Sequence, residues 1–132
     1  MVVDTSAVLA ILQDEPERRR LNEALEAADS RVMSVATFVE ASLVIESRFG
    51  AEGLHHLDQL IDRAGMVLAP VDLEQARVAR AAFGRFGKGR HPAALNFGDC
   101  FSYALAQVLG EPLLFKGDDF SHTDIRPVPA TD

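Results

Sequence analysis

A chain of 132 residues has room for one ordinary domain and is short for two. With 48% apolar and 25% charged residues and a single cysteine, it excludes a disordered tail, a collagen-like fibre, a disulfide scaffold and a Cys-rich zinc site. The net charge of −7 argues against a protein that coats nucleic acid non-specifically.

The charge is unevenly spread. Between Glu74 and Asp99 there is no acid, while Arg77, Arg80, Arg85, Lys88 and Arg90 fall there with His91. This stretch reads either as a solvated helix face followed by a basic loop or as a contact for RNA phosphates. The longest apolar runs, such as Ala7 to Leu12, are far below the ~20 residues that span a bilayer, so no membrane partner is expected. The N-terminus lacks a basic n-region, and Asp4 interrupts it at once; a cytoplasmic, reducing location is the expectation.

In chain order, Met1 to Asp4 reads as a short buried strand, and Thr5-Ser6 opens a helix over Ala7 to Gln13. A second helix fits Glu15 to Ala28, with Pro16 in its first turn and Leu21, Leu25 and Ala28 as its apolar stripe. Val32-Met33 is strand-like. Ser34 can cap a helix from Val35 to Phe49, which Gly50 ends. Another amphipathic helix runs from Glu52 to Ala64, followed by a strand over Met66 to Ala69 that closes at Pro70. Asp72 caps a helix from Leu73 to about Phe86, and Gly87 to Pro92 is a basic loop. Phe97 to Leu109 is helical, Leu113 to Phe115 is a strand, and Ile125 to Val128, with Pro127 and Pro129, is either a last strand at a sheet edge or an irregular tail. Strands alternating with helices predict one α/β domain over residues 1–132, with a mostly parallel sheet covered by helices on both faces.

Three acids stand alone in apolar or neutral surroundings: Asp4 before Asp14, Glu40 between Arg31 and Glu46, and Asp99 between Arg90 and Glu111. Glu40 shares a helix face with Ala36, Thr37, Leu43 and Val44. A charge so placed needs a partner, either an arginine such as Arg48 or Arg63 or a metal ion. Asp4 and Asp99 both have ordinary alternatives as helix N-caps, and Asp118-Asp119 as a turn after Gly117. Yet a parallel sheet brings strand ends and helix starts to one edge, where ligands bind in open α/β folds. Carboxylates ~4 Å apart repel by about 1 kcal/mol in bulk water and about 4 kcal/mol at an effective dielectric of 20, so a cluster of them must take up protons or cations. Oxygen ligands without His or Cys favour Mg²⁺, with Mn²⁺ as a substitute. His55-His56 reads as surface, and Cys100 as a small core residue.

The segments Val2-Val3-Asp4-Thr5-Ser6-Ala7, Phe38-Val39-Glu40, Leu95-Asn96-Phe97-Gly98-Asp99-Cys100 through Ala106, and Leu113 through Phe120 with Thr123-Asp124-Ile125 resemble PIN domains. More narrowly, they resemble the VapC-type toxins of bacterial toxin–antitoxin pairs, over residues 2 to about 128. The resemblance implies a PIN-like three-layer α/β sandwich. It also implies a Mg²⁺-dependent endoribonuclease acting on cellular RNA, restrained by a VapB-type antitoxin and usually paired as a homodimer. By position, Asp4, Glu40 and Asp99 match the family's main acids. Asp118 and Asp119 both compete for the fourth place, with Asp119 preferred. Thr5 or Ser6 matches the hydroxyl near the metal-bound water, and Asn96 could orient substrate or a carboxylate. Arg85, Lys88 and Arg90 then become candidate RNA-backbone contacts. The alternatives are a catalytically silent PIN-like module that binds a protein, a phosphohydrolase and a receiver domain. The phosphohydrolase and the receiver fit less well, because Asp4 has neither an acid two residues on, where Ser6 stands, nor an acidic neighbour.

Overall fold

Four very short, apolar strands need little more than a Val-Val or Leu-Leu pair each, because helices cover both of their faces. A computed structural model of the chain describes residues 1–129; Ala130 to Asp132, part of the expected domain, lie outside the described residues. The elements in order are β1 (Val2–Val3), α1 (Thr5–Leu12), α2 (Arg18–Ala27), β2 (Val32–Ser34), α3 (Val35–Arg63), β3 (Val67–Ala69), α4 (Leu73–Phe86), α5 (Phe97–Leu109) and β4 (Leu113–Leu114). A 3₁₀ turn over Asp119–His122 follows. The strands form one parallel sheet in the order β3-β2-β1-β4.

Successive strand residues face opposite sides, and the core divides accordingly. Val3 and Leu114 pack with α1, α2 and α3, around Val8, Leu21, Met33 and Leu57. Val2 and Leu113 pack with α4 and α5, around Ala82, Phe86, Tyr103 and Leu105. Full burial of each such large apolar side chain contributes roughly 1.5–3 kcal/mol. The result is the expected three-layer α/β sandwich.

Two of the expected elements differ most, the second helix and the last strand. α2 begins at Arg18 rather than Glu15: a turn occupies the preceding residues, with Asp14 at φ 53°. Gly50 ends the first helical arm of α3 as expected, and the second arm, expected from Glu52, follows directly. Gly50, at φ 65° and ψ −154°, bends α3 into two arms, and only glycine enters that conformation readily. The candidate last strand at Ile125 to Val128 is reduced to an isolated bridge between Leu113 and Pro127. Two backbone bonds flank that bridge, Leu113 N–H to Arg126 O and Val128 N–H to Leu113 O; the Pro127 nitrogen faces away from β4, on the open edge where a missing N–H is tolerated.

Arg31 joins the far ends of two helices, donating to Leu25 O in the last turn of α2, to Ala28 O at its C-cap and to Ala64 O at the C-cap of α3. The topology sets the position of the site. From β1 the chain steps outward to β2 and β3, then returns by α4 and α5 to β4 on the other side of β1. The sheet therefore reverses direction at β1, and the crevice at the C-terminal ends of β1 and β4 is where open α/β sheets bind ligands.

Candidate active site

Asp4 is the first residue beyond β1 and only 2% exposed. It is the N-cap of α1, accepting from Ser6 N–H (3.0 Å) and Ser6 Oγ (2.7 Å) at Oδ2. Its other oxygen accepts from Ser102 Oγ at 2.6 Å, across a sequence separation of 98 residues. Ser102 in turn bonds the buried Thr37 hydroxyl at 3.2 Å, and Ser6 Oγ accepts from Lys116 N–H at 3.0 Å. One hydrogen-bonded chain therefore links α3, α5, the start of α1 and the segment after β4. Asp4 is thus both a cap and the centre of a cross-element network.

Glu40, in the first arm of α3, is half-buried. Its Oε1 accepts from Thr5 Oγ1 at 2.5 Å, and its carboxylate lies against Gly98 at the start of α5. Among the described residues it pairs with neither arginine that the sequence offered; Arg48 instead donates to Gln13 at 2.7 Å. Asp99 is the third residue of α5, not its N-cap. Asn96 is the cap, and the two form a capping box: Asp99 N–H donates to Asn96 Oδ1 (2.9 Å) and Asn96 N–H to Asp99 Oδ2 (3.0 Å).

The electrostatics record how these acids converge. Burial pushes the Asp99 carboxyl up from 3.8 to about 6; the Asn96 N–H bond pulls it down, and the charges of Asp4, Glu40 and Asp119 push it up further. Asp119 is exposed, in the first turn of the 3₁₀ segment; Asp118 precedes it, is also exposed, and makes no side-chain cap bond. Cys100 is buried on the same helix, with its thiol pushed up to about 11 by burial and then by Asp99. That makes it a poor nucleophile. His55 and His56 are exposed on α3, as expected.

The acid edge thus contains Asp4, Thr5, Ser6, Glu40 and Asp99, with Asp119 at its rim and Asn96 behind Asp99. The basic residues form a separate region. Arg85 pairs with Asp124 at 3.5 Å and lies over the Phe86 ring, and Arg90 lies over Phe83. Asp124 also accepts from Tyr103 at 2.5 Å. Lys88 is exposed, its backbone N–H held by Leu95 O. Lys116 is bound to Glu15 (2.9 Å) and Glu17 (3.4 Å), which raises its pKa.

Sequence reasoning missed Ser102, Gly98 and the role of Thr37. Ser102 had a usable signal, since it lies one helical turn after Asp99 among apolar residues. Gly98 had none, because close approach of a backbone to a distant side chain leaves no mark on local sequence.

Among the described residues no group of three His, Cys, Asp or Glu side chains is placed to hold a metal ion. The donor chemistry nevertheless fits a hard divalent ion, since carboxylate and hydroxyl oxygens surround the cleft. Burial first, and then the charges of Asp4, Glu40 and Asp119, disfavour the charged form of Asp99, and a cation beside it would offset both.

Fold and acid edge together define a class. The PIN domain family model matches residues 1–126, and the chain belongs to that family. Among its curated relatives, ribonuclease VapC30 of Mycobacterium tuberculosis is 55% identical over 97% of this chain and 98% of its own. Among solved structures, the M. tuberculosis toxin VapC20, described as cleaving the sarcin-ricin loop, superposes with a TM-score of 0.74 at 17% identity, covering 96% of this chain and 98% of that one. A toxin–antitoxin complex from Klebsiella pneumoniae follows at TM-score 0.68 and 19% identity, over 93% and 92% of the two chains.

Proposed function

We propose that this chain is a Mg²⁺-dependent endoribonuclease, the toxin of a toxin–antitoxin pair. The observation that carries the reading is the meeting of Asp4, Glu40 and Asp99 at the switch point of the sheet, where the charges of Asp4, Glu40 and Asp119 all bear on Asp99. The relatives named VapC ribonucleases support the reaction class. The bound ion supplies charge stabilisation to the phosphodiester and an activated water for its hydrolysis.

Asp4, Glu40, Asp99 and, at the rim, Asp119 hold the ion, with Asp118 the lesser candidate for the fourth place. The protein's own contribution is orientation. Ser6 and Ser102 fix the two oxygens of Asp4, Thr5 fixes one oxygen of Glu40, and Asn96 fixes one oxygen of Asp99. Each bond locks a carboxylate that would otherwise rotate. Lys88, with Arg85 and Arg90, serves as the RNA-backbone contact.

A VapB-type antitoxin is the expected partner, in line with the relatives' names and the Klebsiella complex. A second copy is the other, supported by the exposed stripe Val35, Val39 and Leu43 on α3 and by Phe97, 80% exposed. No helix among the described residues is long and apolar enough to cross a membrane, and an RNA substrate fits a cytoplasmic location.

The test is incubation of the protein with total RNA, followed by mapping of cleaved ends, with Mg²⁺, with EDTA and with the Asp4→Asn variant. Discrete new ends are expected only for the unaltered protein with Mg²⁺. Cleavage that persists in EDTA or in Asp4→Asn contradicts the reading.

A further inference from the structure

Glycine is a poor helix residue beside alanine, yet Gly98 occupies the first turn of α5. Its backbone is not in the left-handed region, so the local conformation does not require it. The space does. A Cβ at Gly98 would fall inside the Glu40 carboxylate, 2.6 Å from Oε1 and nearer still to Oε2 and Cδ, against a favourable non-bonded separation of about 3.5–4.0 Å. By contrast, a Cβ at Gly84 in α4 would meet nothing within 4 Å.

Neither side can give way freely. Glu40 is held from the other direction by Thr5 Oγ1 at 2.5 Å. The gap between α3 and α5 is pinned by the buried Thr37–Ser102 bond, one turn from Glu40 on α3 and one turn from Gly98 on α5. Widening it breaks that bond and disturbs the Ser102 bond to Asp4.

We infer that Gly98 is a positioning residue: by omitting a side chain it lets the Glu40 carboxylate lie against the backbone of α5, beside Asp99. The role deepens the proposed ribonuclease site and rests on that reading for its consequence in catalysis, but not for its geometry. Any side chain at position 98 displaces the Glu40 carboxylate from this position.

The geometry is tested by a cycle of metal-free melting temperatures over the unaltered protein, Gly98→Ala, Glu40→Ala and the double variant. Gly98→Ala is expected to lower the melting temperature when Glu40 is present, and to leave it unchanged or raise it when Glu40 is alanine. Equal shifts in both backgrounds would place the clash elsewhere and overturn the proposal, and so would a Gly98→Ala protein that melts as the unaltered one does. If Gly98→Ala does not fold alone, recovery of folding in the double variant decides the matter in the same way.

The consequence is read by Mn²⁺ titration and by RNA cleavage. Gly98→Ala is expected to bind Mn²⁺ about tenfold more weakly and to cleave with kcat lowered about 100-fold, as for a carboxylate displaced by ~1 Å, with KM little changed. Gly84→Ala should match the unaltered protein in both measurements. Unaltered Mn²⁺ affinity in Gly98→Ala would overturn the positioning role. An unaltered protein that cuts no RNA would end the ribonuclease reading and leave the melting cycle to judge Gly98.

Discussion

The acid edge and the basic stretch are both sets of like-charged residues, and the fold treats them oppositely. Asp4, Glu40 and Asp99 come from three distant segments, and hydrogen bonds from Thr5, Ser6, Asn96 and Ser102 fix their carboxylates. Arg85, Lys88 and Arg90 are neighbours in sequence, and the fold disperses them. Arg85 is engaged by Asp124, Arg90 lies over Phe83, and the Lys88 side chain is exposed. Like charges held close by a network store repulsion that a ligand can relieve, whereas like charges spread over a loop are solvated and cost little. Proximity in sequence is therefore the weaker guide to a site.

The largest effect should come from the acid edge itself. Asp99→Asn is expected to lower RNA cleavage by at least about 1,000-fold, in the range for removing a principal electrostatic group, while the metal-free protein melts at the same temperature or higher. A variant that unfolds would show that Asp99 serves chiefly as half of the capping box. Next in size is Ser102→Ala, which leaves Asp4 Oδ1 without its donor in a buried site. It should cost about 1–3 kcal/mol of stability and lower cleavage about tenfold; denaturant melts and rate assays together check both.

A third test uses pH. Asp99 titrates in the folded protein at about 6 against an ordinary 3.8, so the native state holds this proton more tightly than the unfolded chain does. Its contribution to metal-free stability is fully present below about pH 4 and is lost as pH rises through about 6. Urea midpoints across this window should fall with pH in the unaltered protein, and less steeply in Asp99→Asn. The smallest effects belong to the basic stretch. Lys88→Ala is expected to reduce the salt slope of RNA binding by about 1, and adding Arg85→Ala and Arg90→Ala to bring the reduction to at most about 3. An unchanged slope in the triple variant would remove the stretch from the RNA contact.

The elements were legible because their signals are local. Asp72 and Ser34 cap the helices they were expected to cap, and the Leu73–Phe86 and Phe97–Leu109 helices have the predicted bounds. The misplacements are also physical. α2 starts late because the chain turns before it, with Asp14 at φ 53°, and the Ile125 to Val128 segment meets β4 only at the Leu113–Pro127 bridge. The lone acids Asp4, Glu40 and Asp99 of the apolar segments all bear on the same end of α5, through the Asp4–Ser102 bond, the Glu40–Gly98 approach and the Asn96–Asp99 capping box. What the sequence could not carry was the second layer: the Thr37–Ser102–Asp4 chain and the Gly98–Glu40 approach join residues far apart in the chain and exist only once α3 and α5 are packed.

The central claim is that these separated carboxylates hold a divalent ion together. Calorimetric titration of the metal-free protein with Mn²⁺ at neutral pH, set beside Asp4→Asn, Glu40→Gln and Asp99→Asn, tests it most directly. Saturable binding that each of the three substitutions weakens by about tenfold or more is the predicted result. Binding unchanged by all three, or no saturable binding at millimolar Mn²⁺, would contradict it.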